Sequence, residues 1–166
     1  MPKKVTVAAN NRYCQARLRA AEYNNKFYSR SGAAEEIPGV TEDSLKKYEL
    51  GTVKPPNDVV ALMADTYNEP ELVNWYCANE CPLGINIREI ELVEPERTAM
   101  RLFNACDDIQ NSVQKLFDIL DDGIVEQSEL PDIASIKDVF IESKRRLDEV
   151  LAMIKKIENG GKNETI

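Results

Sequence analysis

The chain has 166 residues, 43% apolar and 30% charged, which suits one ordinary domain or two small ones with a genuine core and a helix-rich fold. No apolar run reaches the roughly 18 residues of a membrane span, and the opening Met-Pro-Lys-Lys lacks the apolar stretch of a signal peptide, so a cytoplasmic protein with no membrane partner is expected. Histidine is absent, which removes Ser-His-Asp and Cys-His catalysis and every histidine-ligated metal site, and no Gly-rich phosphate loop or matched acid pair suggests an enzyme.

The net charge of −8 is unevenly spread. Residues 1–54 carry ten Lys/Arg against six Asp/Glu, whereas the rest carry eleven against twenty-three. A basic segment ahead of an acidic one is a pattern suited to phosphate contact at one end only.

Taken in chain order, residues 1–10 read as a solvated arm containing Lys3 and Lys4. Asn11 to Tyr23 reads as a helix with Tyr13, Ala16, Ala20 and Tyr23 on one stripe. Arg12, Arg17 and Arg19 fall off that stripe, as solvated charges or backbone-contacting ones. Asn24-Asn25 breaks the helix, and Phe27 or Tyr28 plugs the core before Ser29.

Residues 29–51 read as two short helices around a tight turn. Ser29 caps the first, whose small apolar face is Ala33, Ala34 and Ile37. Gly39 supplies the turn, Thr41 caps the second helix, Leu45 and Tyr48 lie three apart on its inner side, and Gly51 ends it. With Ala34 at a small central position and the ending Tyr48-Glu49-Leu50-Gly51, the segment resembles the helix-turn-helix of lambda-repressor/Cro-type (XRE-like) transcriptional regulators. It departs from their pattern at Ile37-Pro38-Gly39, which makes the turn about one residue longer.

After Gly51, Thr-Val-Lys-Pro-Pro is a rigid loop. Asn57 is expected to cap a helix holding Val60, Met63, Ala64 and Tyr67, and Asn68-Glu-Pro70 separates it from a helix over Glu71 to Asn79 with Leu72, Trp75 and Tyr76. The resemblance therefore covers residues 11–84 and implies a five-helix DNA-binding domain. It also implies that the helix from Glu42 enters the major groove of double-stranded DNA. Glu42, Asp43, Ser44, Lys46 and Lys47 would face bases, Arg30 and Lys54 would contact the backbone, and Glu49 would be structural. The acids at 42 and 43 also suit a helix N-terminus. A domain of this fold serving only as a protein-interaction module is the alternative.

Cys77 and Cys81 are four apart, a spacing open to metal ligation but lacking a second close pair, so packed thiols are the plainer reading and no metal or cofactor is expected. A structural disulfide is not expected in a reducing compartment.

Residues 85–94 form a connector, and Glu94-Pro95 marks a helix start. Two heptad patterns follow over 95–158. The first is Leu102, Cys106, Ile109, Val113, Leu116 and Leu120. The second is Ile133, Ile136, Phe140, Ser143, Leu147, Val150, Ile154 and Ile157, with Asp121-Asp122-Gly123 between them. The expectation is a long antiparallel, coiled-coil-like αα-hairpin. Its apolar surplus calls for a second copy and a homodimer through Leu102, Ile109, Val113, Leu116, Ile136, Phe140, Leu147, Val150 and Ile154. The acidic loop partly fits a calcium-binding template from Asp118 to Glu129, but Leu120 occupies a ligand position. Lys144-Arg145-Arg146 is expected to pair with nearby carboxylates. The fold class is all-α, and the function expected is a dimeric, repressor-like regulator on an inverted-repeat operator. Any small-molecule effector stays open.

Overall fold

A computed structural model describes residues 7–160. Among them the fold is all-α, with seven α-helices, three short 3-10 turns and no strand. No helix among the described residues is long and apolar enough to cross a membrane. Lys3, Lys4 and the tail beyond Gly160 lie outside the described residues. The chain divides into two compact units between Tyr76 and Cys77.

The first unit contains α1 (Arg12–Ala20), a 3-10 turn (Asn25–Tyr28), α2 (Arg30–Glu36), α3 (Glu42–Glu49), α4 (Asn57–Tyr67) and most of α5 (Glu71–Asn79). Asn11 starts α1, its side-chain oxygen accepting from the N–H groups of Tyr13 and Cys14 at 2.9 and 3.3 Å. The helix is shorter than its apolar stripe suggests. It ends at Ala20, whose carbonyl accepts from Tyr23 and Asn24, so Tyr23 swings into solvent while Tyr13, Ala16 and Ala20 are buried.

These three join Phe27, Ala33, Ile37, Leu45, Val60, Met63, Ala64, Tyr67 and Leu72 in one core. Edge-to-face ring pairs Tyr13–Trp75 (5.5 Å) and Phe27–Tyr67 (5.3 Å) tie α1 to α5 and the 3-10 turn to α4. Each such pair adds about 0.5–1.5 kcal/mol beyond simple burial. Asn57 is the first residue of α4 rather than its cap, because Pro56 occupies the cap position. Asn68, in the left-handed region at φ 53°, stops that helix.

In the second unit, Pro95 opens α6 (Pro95–Leu120) and Pro131 sits in the first turn of α7 (Leu130–Gly160), both where a missing N–H costs nothing. The two long helices pack side by side in opposite directions, with Lys115 and Asp132 paired at 2.6 Å near the connection. The side of α6 that meets α7 is rotated from the expected stripe. Its buried positions are Thr98, Ala105, Ser112 and Ile119, every seventh residue, with Leu102, Ile109 and Leu116 half-buried beside them. Cys106, Val113 and Leu120 are exposed. On α7, Ile136 and Ser143 are buried on the side that meets α6, whereas Ala152, half a turn away around the helix from Ser143, is buried on the side of Glu149. Small residues occupy the seam because closely approaching helices leave little room between their backbones.

Segment 85–94 belongs to this unit rather than hanging loose. Ile90 is buried, the Glu91 N–H donates to Glu149 (3.4 Å), and Arg88 pairs with Glu142 (3.3 Å). Glu149 is 0% exposed yet matched by Arg145 (3.3 Å) and Arg146 (3.1 Å), which also bracket Glu142. The basic cluster thus pairs with carboxylates as its spacing suggests, while Lys144 stays exposed.

Candidate nucleic-acid interface

The candidate interface is built on α2, the turn at 37–41 and α3. Ser29 caps α2, its hydroxyl oxygen accepting from the Gly32 N–H at 2.9 Å, and Thr41 caps α3 by accepting from the Ser44 N–H at 3.2 Å. The Thr41 and Ser44 hydroxyls also bond each other at 2.9 Å. Gly39 and Gly51 sit at φ +75° and +69°, the left-handed backbone that glycine adopts without strain. Between the helices, Ile37 and Val40 are buried and Leu45 is fully enclosed. The small residue completely covered on α2 is Ala33, whereas Ala34 is only half-buried.

Beneath this pair lies an ion cluster that the sequence reading missed. Arg17, expected as a solvated or backbone-contacting charge, is buried. Its Nε donates to Glu49 Oε1 at 2.6 Å and its Nη2 to Glu49 Oε2 at 3.1 Å, while Nη1 donates to the Phe27 carbonyl at 2.7 Å. Arg30 Nε donates to Glu49 Oε2 at 2.7 Å. One carboxylate therefore fastens α1, the 3-10 turn and α2 to the end of α3. Burial works to raise the Glu49 pKa, but the hydrogen bonds from Arg17 and Arg30 outweigh it and hold the carboxyl below its usual range. The Tyr67 phenol nearby is pushed upward, chiefly by burial. The only sequence signal for this cluster was the family-like placement of Glu49.

Close approach fixes another position. A Cβ on Gly32 would stand 2.3 Å from the Lys26 carbonyl oxygen, so only glycine lets the 3-10 turn lie against α2.

Of the candidate contact residues, Glu42, Asp43, Lys46, Lys47 and Lys54 are exposed and Ser44 is half-exposed. They do not form an unbroken cationic strip. Lys47 pairs with Asp43 at 2.6 Å one turn away, and this bond holds the Asp43 carboxyl below its ordinary range. Arg30 is turned toward Glu49. Lys26 pairs with Glu36 at 2.5 Å, and Arg19 pairs with Glu69.

The chain matches no protein-family model, no curated protein and no solved structure.

The other candidate residues divide as follows. Among the named hairpin positions, Ile136 is buried in the α6–α7 seam, and Leu102, Ile109, Leu116, Phe140 and Val150 are half-buried. Val113, Leu147 and Ile154 face solvent. Cys77 and Cys81 are half-buried, with the Cys77 thiol pushed upward by burial and by Cys81. No group of three or more His, Cys, Asp or Glu side chains is placed to hold a metal among the described residues.

Proposed function

We propose that the protein is a sequence-specific DNA-binding transcriptional regulator of the helix-turn-helix kind, acting as a homodimer on an inverted repeat. The observation that carries this reading is the mounting of α3. Its cap, its inner face and its C-terminal Glu49 are all committed to the first unit, while Glu42, Asp43, Lys46 and Lys47 project outward on a short rigid helix. A helix held at its base and polar outside is what reading base edges in a major groove requires. Lys46 would donate to guanine, Glu42 would accept from a cytosine amino group, and Lys54 would hold phosphate. Two copies would address half-sites about one duplex turn apart.

A second reading rests on the Asp43–Lys47 and Arg30–Glu49 pairs, which consume two of the four cations expected to face DNA. In that reading the same unit is a protein-interaction module. Enrichment of randomised duplex DNA on the full chain, at low and at near-physiological salt, separates the two. Recovery of an inverted repeat supports the regulator. No enrichment at either salt sinks it and leaves the module.

A further inference from the structure

The paired helices of the second unit have two unlike faces. One carries a cavity of about 850 Å³ whose lining includes the polar side chains Arg101, Asn104 and Asp108 of α6 and Asp138, Glu142 and Arg146 of α7. Ion pairs from segment 85–94 reach the same residues, with Arg88 on Asp138 and Glu142 and Glu91 on Arg101. The other face is apolar and open. Phe103 lies two positions from Arg101, Cys106 two from both Asn104 and Asp108, and Phe140 two from both Asp138 and Glu142. Two residues turn a helix by about 200°, so these side chains point away from the cavity on both helices.

The open face extends along both helices. On α6, Phe103, Cys106, Gln110, Val113, Phe117 and Leu120 recur at three- and four-residue steps and are all exposed, with Phe103 at 70% and Phe117 at 65%. On α7, Leu147 (46% exposed) follows Phe140 after seven residues, and Leu151 (63%) and Ile154 (42%) follow at four- and three-residue steps. These side chains together leave on the order of 700 Å² of apolar surface in water per chain, close to the roughly 800 Å² per partner of a stable interface. A face of that size recurring at heptad spacing is what a second, identical layer covers.

Charge decides how the layers stack. Asp107 and Asp118 are exposed beside the stripe of α6, whereas Lys137 and Lys144, each four residues after an apolar position, are exposed beside that of α7. Stacking α6 on the α6 of a second copy, with their stripes centred on one another, would bring Asp107 level with Asp118 of that copy. Stacking α6 on α7 of the second copy, about a two-fold axis parallel to the helices, keeps the levels seen within the chain. There Lys115 meets Asp132, and Arg101 shares the cavity lining with Arg146. Asp107 then falls between Lys137 and Lys144 of the second copy, and Gln110 opposite Lys137. Like charges facing one another are penalised and opposite ones favoured.

We infer that this face is a homodimer interface in which α6 of each chain packs antiparallel on α7 of the other, with Asp107 seated between Lys137 and Lys144. The inference deepens the dimer part of the function proposed above and rests on it. Both copies of α6 then start at the same end of a four-helix bundle.

Two measurements on the full chain test it. Sedimentation of the wild type should give a two-chain mass, and Phe103→Glu with Phe117→Glu should halve it while circular dichroism retains the helix content, since both residues are exposed. In a Cys106→Ser background, Gln110→Cys with Lys137→Cys should form disulfide-linked dimers under mild oxidation, whereas Gln110→Cys alone and Gln110→Cys with Val113→Cys should not. A monomeric wild type overturns the dimer itself. A dimer that cross-links through the 110 and 113 thiols instead means α6 packs on α6, and overturns the stacking alone. A dimer that cross-links at neither pair, or that survives both glutamates, overturns the face. Because neither assay contains DNA, each outcome is independent of whether the first unit binds a duplex.

Discussion

Single residues carry the first unit's integrity, and Glu49 carries most. At 0% exposure it stays ionised through Arg17 and Arg30, its ion-pair partners among the described residues. Removing one partner of a buried pair costs more than the pair contributes, because the remaining charge is left in a poor dielectric. Glu49→Gln should therefore lower stability by about 3 kcal/mol, read from urea unfolding. The pH dependence follows from the direction of its pKa. The folded value lies below the ordinary 4.5, so the stabilisation is complete above that value and disappears as pH falls through the folded one. Acid unfolding of the wild type should be steeper below pH 4.5 than that of Glu49→Gln, and parallel acid limbs would contradict the assignment. Gly32→Ala sets helix propensity against sterics. Alanine favours a helix interior by about 1 kcal/mol, but a Cβ 2.3 Å from the Lys26 carbonyl oxygen forces backbone apart. The clash should win, with a net loss of about 1–3 kcal/mol in thermal or urea unfolding.

At the scale of elements, the deciding quantity is helix phase. Heptad spacing in residues 95–158 was legible because apolar residues recur regularly, but a stripe wider than one contact does not say which edge meets which neighbour. On α6 the seam runs through Ala105 and Ser112, residues too small or polar to register in a hydrophobic pattern. Ile136→Asp places a charge in that seam, at a position 4% exposed. It should unfold the second unit, with a loss of several kcal/mol in cooperative stability, rather than merely dissociate a dimer. Phe117→Glu, in water already, should leave melting of the separated chain within about 0.5 kcal/mol. Equal stability losses in the two variants would show that the phase is wrong.

For the whole molecule, electrostatics sets what the first unit can bind. Lys46 is exposed on α3, whereas Lys47 is drawn to Asp43. On the proposed DNA-binding reading, Lys46→Ala should weaken duplex binding and reduce the logarithmic salt slope by about one if the contact is to phosphate. Asp43→Asn releases Lys47 and removes a negative charge, so binding at low salt should tighten several-fold. Fluorescence anisotropy with a salt series reads both effects. Weaker binding by Asp43→Asn would mean that Asp43 accepts from a base rather than repelling phosphate.

The sequence by itself determined the all-α class and the approximate span of every α-helix, because apolar period, caps, prolines and turn glycines act over a few residues. Ser29, Thr41, Pro95 and the turn at Gly39 needed no knowledge of distant partners. The tertiary structure alone decided that Arg17 is buried, that Gly32 must lack a side chain, that Tyr23 leaves the α1 stripe and that the two long helices meet along small residues. Arg17 and Glu49 are 32 positions apart in the chain. Their pairing, like the phase of α6 against α7, is fixed by which surfaces the fold brings together, and local periodicity holds no record of that.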